Sequence, residues 1–405
     1  MDYRDKILSD REQKNIFIKS LVNDYQVISL KANIPGIAKQ TKEAYILVNY
    51  FNNVLKSLGY NTFKFLDGYD GPMYIYLTDK SKVLKDKMME VEEQDLGRFV
   101  DIDVFNNNIS MNRSNLRKCY LCNLSAVICS RNQNHSIEEL NEFISNNVFN
   151  RLCSIIKKIC NEAILEELNL HPKFGLVTPF SNGSHQDMNY ELMIKAKDAI
   201  LDSFVEMFIV GYTFESINDI FIKIRNIGLN AEEKMMKATN NINAYKGLIF
   251  VLGLVVASIG YKLAHLNKDI NIFDVIKEMT KGITKELNYG VDTFGKQCYQ
   301  QYGIKGARGE AEDGLPHVQF ALDNKYEDIY QLLIYYISNI DDTVLLKRAK
   351  SYSQYLEIRK WFQQDINIEE LTNECINLNL SFGGAADLLI VTLFVRKFNN
   401  IITII

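Results

Sequence analysis

Prolines set the first limit on how this chain can fold. They stand at Pro35, Pro72, Pro172, Pro179 and Pro316, so a single one interrupts everything beyond residue 180. A proline inside a helix removes a backbone hydrogen bond and clashes with the preceding turn. The second half is therefore free to form long helices, whereas the first is cut into shorter pieces. Apolar spacing agrees: Ile200, Phe204, Met207 and Phe208, then Ile217, Ile220, Phe221 and Ile224, recur at intervals of three and four. The run Gly247 to Gly260 is apolar but falls short of the roughly 20 residues of a membrane span, and it reads as a buried helix. The front of the chain alternates instead. Residues 11–23 and 41–58 have helical spacing, while Tyr25–Leu30, Thr62–Leu66, Met73–Leu77 and Arg98–Phe105 read as strands bounded by Gly, Pro, Asp and Asn.

These patterns predict a multi-domain chain: an N-terminal α/β or α+β domain followed by a larger all-α domain. A length of 405 residues suits two or three domains. The polar stretch Glu142–Asn150 is the expected boundary, giving residues 1–148 and 149–405. The apolar tail Asn399–Ile405 is expected to pack as a last strand or helical turn. A net charge of −4 offers no basic excess for nucleic acid or an anionic membrane, so a polyanionic ligand must be held by a few local cations. The N-terminus is charged from its second residue and lacks the apolar core of a secretion signal. Seven cysteines, an odd number, argue for reduced thiols and a cytoplasmic setting.

The stretch Gly97-Arg98-Phe99-Val100-Asp101-Ile102-Asp103-Val104 carries the first candidate chemistry. Side chains on a strand alternate faces, so Asp101 and Asp103 share one face and Val100, Ile102 and Val104 the other. Two carboxylates side by side suit Mg²⁺, which takes one or two of them together with substrate phosphates, or else they are two solvated acids on an edge strand. Arg98 adds a guanidinium able to hold phosphate. Farther on, Cys119, Cys122, Cys129 and His135 form either a zinc site or a group of reduced thiols beside a phosphate-binding Arg131 and His135. The intervals match no standard zinc module, which favours the thiols.

Asp10-Arg11-Glu12-Gln13, Asn33-Ile34-Pro35-Gly36 with Lys39, the Gly97–Val104 stretch and the C-x-x-C-x6-C-x-R-x3-H run occur in that order. Over roughly residues 5–140 this set resembles the apo-citrate lyase phosphoribosyl-dephospho-CoA transferase family. The resemblance implies transfer of a phosphoribosyl-dephospho-CoA unit to a serine of the acyl carrier (gamma) subunit of citrate lyase, with release of pyrophosphate. That is nucleotidyl transfer, and it implies a nucleotidyltransferase-like domain with Asp101 and Asp103 catalytic and on Mg²⁺. Asn33, Lys39, Arg98, Arg131 and His135 would then bind substrate.

The helical half carries four clusters. The first, His171-Pro-Lys173-Phe-Gly175 and then Asn182-Gly183-Ser184-His185-Gln-Asp187, is a glycine-punctuated loop leading into a helix, where backbone amides can cradle phosphate or simply be capped. The second runs from Arg225 through Glu232 to Asn243-Ala244-Tyr245-Lys246-Gly247, polar residues at the mouth of the very apolar helix. The third, Gly303-Ile-Lys305-Gly306-Ala-Arg308-Gly309-Glu310, lets backbone approach a ligand beside cations. The fourth is Asp341-Asp342 followed by Arg348, with Gly383-Gly384-Ala385-Ala386-Asp387 opening a last apolar helix. Each also has a plain reading as a cap or a surface loop.

In order, over about residues 155–396, these clusters resemble the triphosphoribosyl-dephospho-CoA synthase family, which is all-helical. The resemblance implies attack of the ribose 2′-hydroxyl of 3′-dephospho-CoA on C1′ of ATP, with adenine leaving and the triphosphate kept. A sugar centre losing its base passes through a cationic state that carboxylates stabilise. Asp187, Glu232, Glu310 and Asp342 are carried over as catalytic, and Lys173, His185, Asn243, Lys246, Arg308, Arg348 and Asp387 as substrate-binding. Among these, Lys246, Arg308 and Arg348 would lie on phosphates, and Asp187, Asp342 and Glu310 on metal or sugar. The chain departs from the family pattern at Asn240 and Asn241, at Ala349 and Lys350 (glycines in the family), at Phe174 (proline) and at Ala244-Tyr245 (Thr-His). Lost glycines restrict backbone approach and a lost histidine removes a proton donor. The two halves would perform consecutive steps. Two other readings are the equivalent pathway for malonate decarboxylase, and an active transferase carrying a non-catalytic nucleotide-binding helical domain.

Overall fold

The computed structural model describes residues 2–79, 81, 83–106, 109–111, 116–266, 269–289, 293–324, 326, 328–364 and 367–403. It divides into two compact units. Residues up to Leu152, with short segments at His265–Asp269 and Asn400–Thr403, form one, and Cys153–Ala264 with Ile270–Asn399 form the other.

The first unit is built of α1 (Tyr3–Leu21), β1 (Gln26–Ala32), α2 (Lys42–Ser57), β2 (Thr62–Leu66), β3 (Met73–Thr78), α3 (Leu84–Glu93), β4 (Val100–Asn106), β5 (Ile109–Ser110) and α4 (Ala126–Arg131). The strands form one antiparallel sheet in the order β2-β3-β1-β4-β5, which makes this an α+β unit. Register decides what each face carries. Tyr76 and Tyr74 lie opposite Ile28 and Leu30, which lie opposite Val104 and Ile102. The two tyrosine hydroxyls donate to Asn52 and Asn49 of α2 at 2.8 and 2.7 Å, so α2 covers that apolar face. On the other face Ile18 and Val22 at the end of α1 pack on Val27, Met73 and Ile75. Asp101 and Asp103 belong to this second face, opposite Lys31 and Ser29.

Helix α5 (Ile137–Asn169) follows, and the division between the units falls within it, at Leu152/Cys153. The polar stretch Glu142–Asn150 is thus helical throughout. Ile144, Val148, Leu152, Ile155 and Ile159 recur every three or four residues and are buried, while the asparagines and glutamates between them mask the stripe. The second unit continues with α6 (Tyr190–Thr213), α7 (Ile217–Ala238), α8 (Lys246–Ala264), α9 (Ile272–Met279), α10 (Phe294–Tyr302), α11 (Gly306–Glu312), α12 (Pro316–Asp323), α13 (Ile329–Asn339), α14 (Thr343–Arg348), α15 (Tyr352–Trp361), α16 (Ile368–Asn377) and α17 (Gly383–Ile401). No strand interrupts them among the described residues. Of the apolar tail, α17 takes in residues up to Ile401, and positions 404 and 405 lie outside the described residues.

Helix α8 is apolar and long enough to cross a membrane by composition alone, yet here it is the buried centre of its unit, as its lack of a polar face predicts. It crosses α6 at backbone contact. A Cβ added to Gly211 would lie 1.9 Å from the Ala257 carbonyl oxygen, and one added to Gly260 would lie 2.4 Å from that of Phe208. Only glycine allows the two helices to meet this closely.

One carboxylate joins two other helices. Asp342 precedes α14 and is 1% exposed. Its Oδ1 accepts from the Val344 and Leu345 amides at 2.8 and 3.2 Å, and its Oδ2 accepts from Ala385 in the first turn of α17 at 3.1 Å. Each helix start leaves donors with no intrahelical partner, and Asp342 serves two of them. Losing one cap costs about 0.5–2 kcal/mol, and here two buried amides and one part-buried amide would lose their acceptor. Asp342→Ala is expected to lower the denaturant midpoint of the second unit, equivalent to about 2–4 kcal/mol, with the m-value unchanged. A variant within about 0.5 kcal/mol of the parent would show that the shared cap contributes little.

Candidate functional site

In the first unit β4 presents Asp101 and Asp103 half-buried on one face among cations. Arg117 lies 2.7 Å from Asp101 and 2.6 Å from Glu92, and Lys85 lies 3.9 Å from Asp103. Register adds Lys31 opposite Asp101. Burial first, then repulsion from Asp101, pushes the Asp103 carboxyl above its ordinary range, against the pull of Lys31, Lys85 and Arg117. The geometry therefore brings the acid pair together. It also supplies Lys31, Lys85 and Arg117, which the sequence reading missed; β1 alternation places Lys31, but Lys85 and Arg117 have no local signal.

The other candidates of this unit hold its loops. Arg98 donates to the Cys119 carbonyl at 3.1 Å and lies over the rings of Phe99, Tyr120 and Phe143. The Asn33 carbonyl accepts from the Tyr120 hydroxyl at 3.0 Å. Lys39 donates to the Ile34 carbonyl, and burial lowers its pKa. Arg131 is exposed at the end of α4. His135 is not on an open phosphate surface: it joins Cys119, Cys122 and Cys129 in one cluster.

The second unit gathers its candidates around the first turn of α8, where two cavities share Lys246 and Gly247 as a wall. The larger, about 380 Å³, is lined by Glu232, Lys246, Lys305 and Arg308, by the bidentate Arg225–Glu286 pair (2.6 and 2.8 Å), and by an apolar floor including Met207, Ile249 and Leu254. Lys246 lies 2.7 Å from Glu232. Lys305 and Arg308 flank Gly306 at the start of α11. The smaller, about 140 Å³, is lined by Lys173, His185, Asn243, Tyr245, Lys246 and Asp387. Val344 and Gly383, at the starts of α14 and α17, also border it. Three helix N-termini therefore converge here, each favouring negative charge.

Charge inside the smaller cavity is held tightly. Lys173 and Glu167 form a buried ion pair at 2.7 Å, and desolvation lowers the lysine pKa despite its partner. Asp387 borders the cavity, and desolvation there, then Asp342 and Glu167, pushes its carboxyl well above the ordinary range. Its Oδ2 occupies the space where a Cβ of Gly247 would lie, 2.1 Å away, so α8 must begin with glycine at that position. The Tyr245 hydroxyl is buried with no hydrogen-bond partner, near Glu167 and Asp387. A buried hydroxyl without a partner costs free energy unless something else occupies the cavity.

Several departures from the family pattern prove compatible with the backbone. Asn240 (φ 53°) and Asn241 (φ 67°) both adopt the left-handed conformation that glycine takes freely and asparagine tolerates best among the rest. Ala349 has φ −67° and needs no glycine, and Lys350 is not among the positive-φ residues. Phe174 takes φ 33°, which a proline ring cannot, and packs on Phe362 with ring centroids 4.9 Å apart.

Other candidates lie away from the cavities. Asp342 is consumed as the double cap. Arg348 donates to the Ser184 carbonyl (3.0 Å) and the Asn379 side chain (2.6 Å), and its second nitrogen lies 3.2 Å from His185 Nδ1. Arg348 thus positions the 184–185 loop, and burial and then its charge lower the His185 pKa. Asp187 is exposed, 3.9 Å from His185. Glu310 pairs with His317, whose pKa this hydrogen bond raises. His317 was invisible as a partner in sequence, because the turn at Leu315 (φ 56°) is what brings it back.

Two family profiles match the chain: CitX, apo-citrate lyase phosphoribosyl-dephospho-CoA transferase, over residues 3–151, and CitG, ATP:dephospho-CoA triphosphoribosyl transferase, over residues 153–403. The chain is 31% identical to Protein CitXG of Leuconostoc mesenteroides subsp. cremoris and 30% identical to Protein CitXG of Haemophilus influenzae, in each case over 97% of this chain and 96% of the relative. It is 34% identical to the 2-(5''-triphosphoribosyl)-3'-dephosphocoenzyme-A synthase of Haemophilus ducreyi, over 68% of this chain and 98% of that protein.

The raised pKa of Asp387 fixes the sign of a pH effect. The folded chain binds this proton more tightly than the unfolded chain, so the stabilisation is complete below the ordinary carboxylate range and is lost as pH rises toward the elevated folded value. Asp387→Asn is expected to flatten this decline, so that denaturation midpoints of variant and parent diverge in the variant's favour as pH rises above the ordinary carboxylate range. Parallel pH profiles for the two proteins would rule out a protonated Asp387.

Proposed function

The chain belongs to the ATP:dephospho-CoA triphosphoribosyl transferase family, joined as in the CitXG proteins to an apo-citrate lyase phosphoribosyl-dephospho-CoA transferase domain, and from that premise we propose that one polypeptide carries out both steps of making and attaching the citrate lyase prosthetic group. In the first step the ribose 2′-oxygen of 3′-dephospho-CoA forms a bond to C1′ of ATP, the bond from C1′ to adenine breaks, and the triphosphate stays on the sugar. In the second, a serine oxygen of the apo acyl carrier subunit takes the phosphorus next to the ribose, and pyrophosphate leaves.

The observation that carries the first step is the pair of cavities divided by Lys246 and Gly247. Lys246, Lys305 and Arg308 beside helix N-termini suit a triphosphate. Across the shared wall, Asp387 offers a proton where a departing base needs one, and the Tyr245 hydroxyl points to a hydrogen bond with bound ligand in place of the family's histidine. This moves the sugar from Asp187, Glu310 and Asp342 to Asp387 and Tyr245, and leaves Arg348, His185 and Lys173 to hold the cavity walls. Glu232 orients Lys246.

For the second step, the sheet unit acts as the nucleotidyl-transfer domain. Magnesium fits its donor chemistry: Asp101 and Asp103 are hard oxygen ligands on one strand face, and burial, then their mutual repulsion, raises the Asp103 pKa. When bound, Mg²⁺ would neutralise charge on the transferring phosphate and the leaving pyrophosphate. Lys85 and Arg117 supply positive charge on the same face, and Lys31 lies across the strand. The chain's own thiols are free among the described residues, in keeping with a cytoplasmic setting.

Incubating the chain with ATP, Mg²⁺, 3′-dephospho-CoA and apo acyl carrier subunit is expected to add one phosphoribosyl-dephospho-CoA to the carrier by mass spectrometry and to release adenine. No adenine from folded protein would reduce the helical unit to a nucleotide-binding partner. Asp101→Asn is expected to abolish carrier modification with adenine release intact, and loss of both in a stable variant would break the assignment of steps to units. Tyr245→Phe is expected to slow adenine release about tenfold; an unchanged rate would take the hydroxyl out of the reaction.

A further inference from the structure

The segment 116–135 of the first unit is built inside out for a domain held by apolar packing. Leu116, Leu121, Leu124, Val127 and Ile128 are all exposed, between 38% and 79%, while Cys119 and Cys129 are 7% and 4% exposed. Its fold is a tight turn and the six-residue α4. Lys118 and Ser125 bridge, the Cys119 amide donates to the Leu124 carbonyl at 2.8 Å, and the Ala126 amide donates to the Arg117 carbonyl at 2.8 Å. Segments that lack an apolar core are commonly fixed by a metal.

At the centre the donor atoms of Cys119, Cys122, Cys129 and His135 all lie within 4.8 Å of one another. Cys122 Sγ and Cys129 Sγ are 3.8 Å apart, which is too far for a disulfide and matches the edge of a tetrahedron with metal–sulfur bonds of about 2.3 Å. The Leu121 amide donates to Cys119 Sγ at 3.4 Å, a contact that supports a thiolate in a turn. The fourth vertex gives the independent sign. His135 Nε2 is buried and has no hydrogen-bond partner in the protein. An imidazole nitrogen taken out of water and given nothing in exchange costs free energy that a metal bond would offset.

We propose that Cys119, Cys122, Cys129 and His135 form a structural zinc site. Three sulfurs and one nitrogen close enough to share one ion favour zinc, whereas the common iron–sulfur clusters take four thiolates or two thiolates and two histidines. The intervals belong to no standard module because the four residues are assembled by a turn, a single turn and a half of helix and the loop that follows. The site stands beside the acid pair. Arg117, which bridges Asp101 and Glu92, precedes the turn, and Tyr120 within it reaches the Asn33 carbonyl, while Arg98 is anchored on the Cys119 carbonyl. The zinc thus fixes the wall that positions Arg117 against Asp101. This last clause rests on the transferase reading above; the metal site itself does not.

Full-length chain expressed with zinc, purified under reducing conditions and dialysed against a mild chelator is expected to retain about one zinc per chain. The Cys119→Ser/Cys122→Ser and His135→Ala variants should lose it, and Cys153→Ser should keep it. Because the sulfur variants remove ligands on which the segment's folding would rest, cobalt exchange on the unaltered chain gives a second reading. Thiolate-to-metal charge transfer with the visible bands of a tetrahedral centre is expected. A chain carrying no zinc, carrying iron instead, or showing a Cys122–Cys129 disulfide overturns the site, as does zinc that survives in the double cysteine variant. Stripping the zinc should depress carrier modification at least tenfold and leave adenine release unchanged; equal loss of both would overturn the positioning of Arg117 while leaving the zinc count to stand alone.

Discussion

The second unit depends on one buried carboxylate that two helices share. Asp342 accepts from amides at the starts of both α14 and α17, and so fixes the angle at which they meet. Because α17 carries Asp387, that junction sets where this second acid lies against the first turn of α8. Burial works against Asp342 as an anion and its backbone donors work for it. The outcome is a small acidic interior, with Glu167 and Lys173 on its far side, that takes shape only because the helix ends face inward. The capping of α14 and α17 and the place of Asp387 against Gly247 are thus consequences of the same packing.

Much of this was readable in the residues. The strands of the front half and the helices behind it follow from alternation, from three-and-four spacing and from where the prolines fall. The acid pair is local in sequence, so its shared face could be derived from strand geometry alone. Residues that depend on long-range return could not. Glu167 meets Lys173 across the short loop after α5, Tyr245 meets Asp387 from across the unit, and Arg117 reaches Asp101 only once the intervening turn is folded. Several motif residues also proved to be supports: an acid before a helix is equally a cap and a ligand on paper, and only the amides around Asp342 decide. The helix through Glu142–Asn150 was hard to read for a related reason, since asparagines on the outer face of α5 mask the buried stripe that continues beneath them.

The two units solve the problem of holding a polyanion differently. In the sheet unit, two carboxylates on one strand face stand among cations from other elements. In the helical unit, cations line a rim while the interior holds acids whose burial disfavours their charge. Asn240 and Asn241 hold the loop between α7 and α8 in the left-handed conformation.

The glycine crossing of α6 and α8 has a bearing on how this chain can diversify. With Gly211 and Gly260 seated on opposing carbonyls, the two helices cannot slide or spread without opening a gap at backbone level. Met207, Ile249 and Leu254, which make the floor of the larger cavity, inherit that rigidity. Changes in what this cavity admits would therefore have to arise at its lip, where Lys305 and Arg308 stand at the glycine-flanked start of α11, while its depth stays fixed.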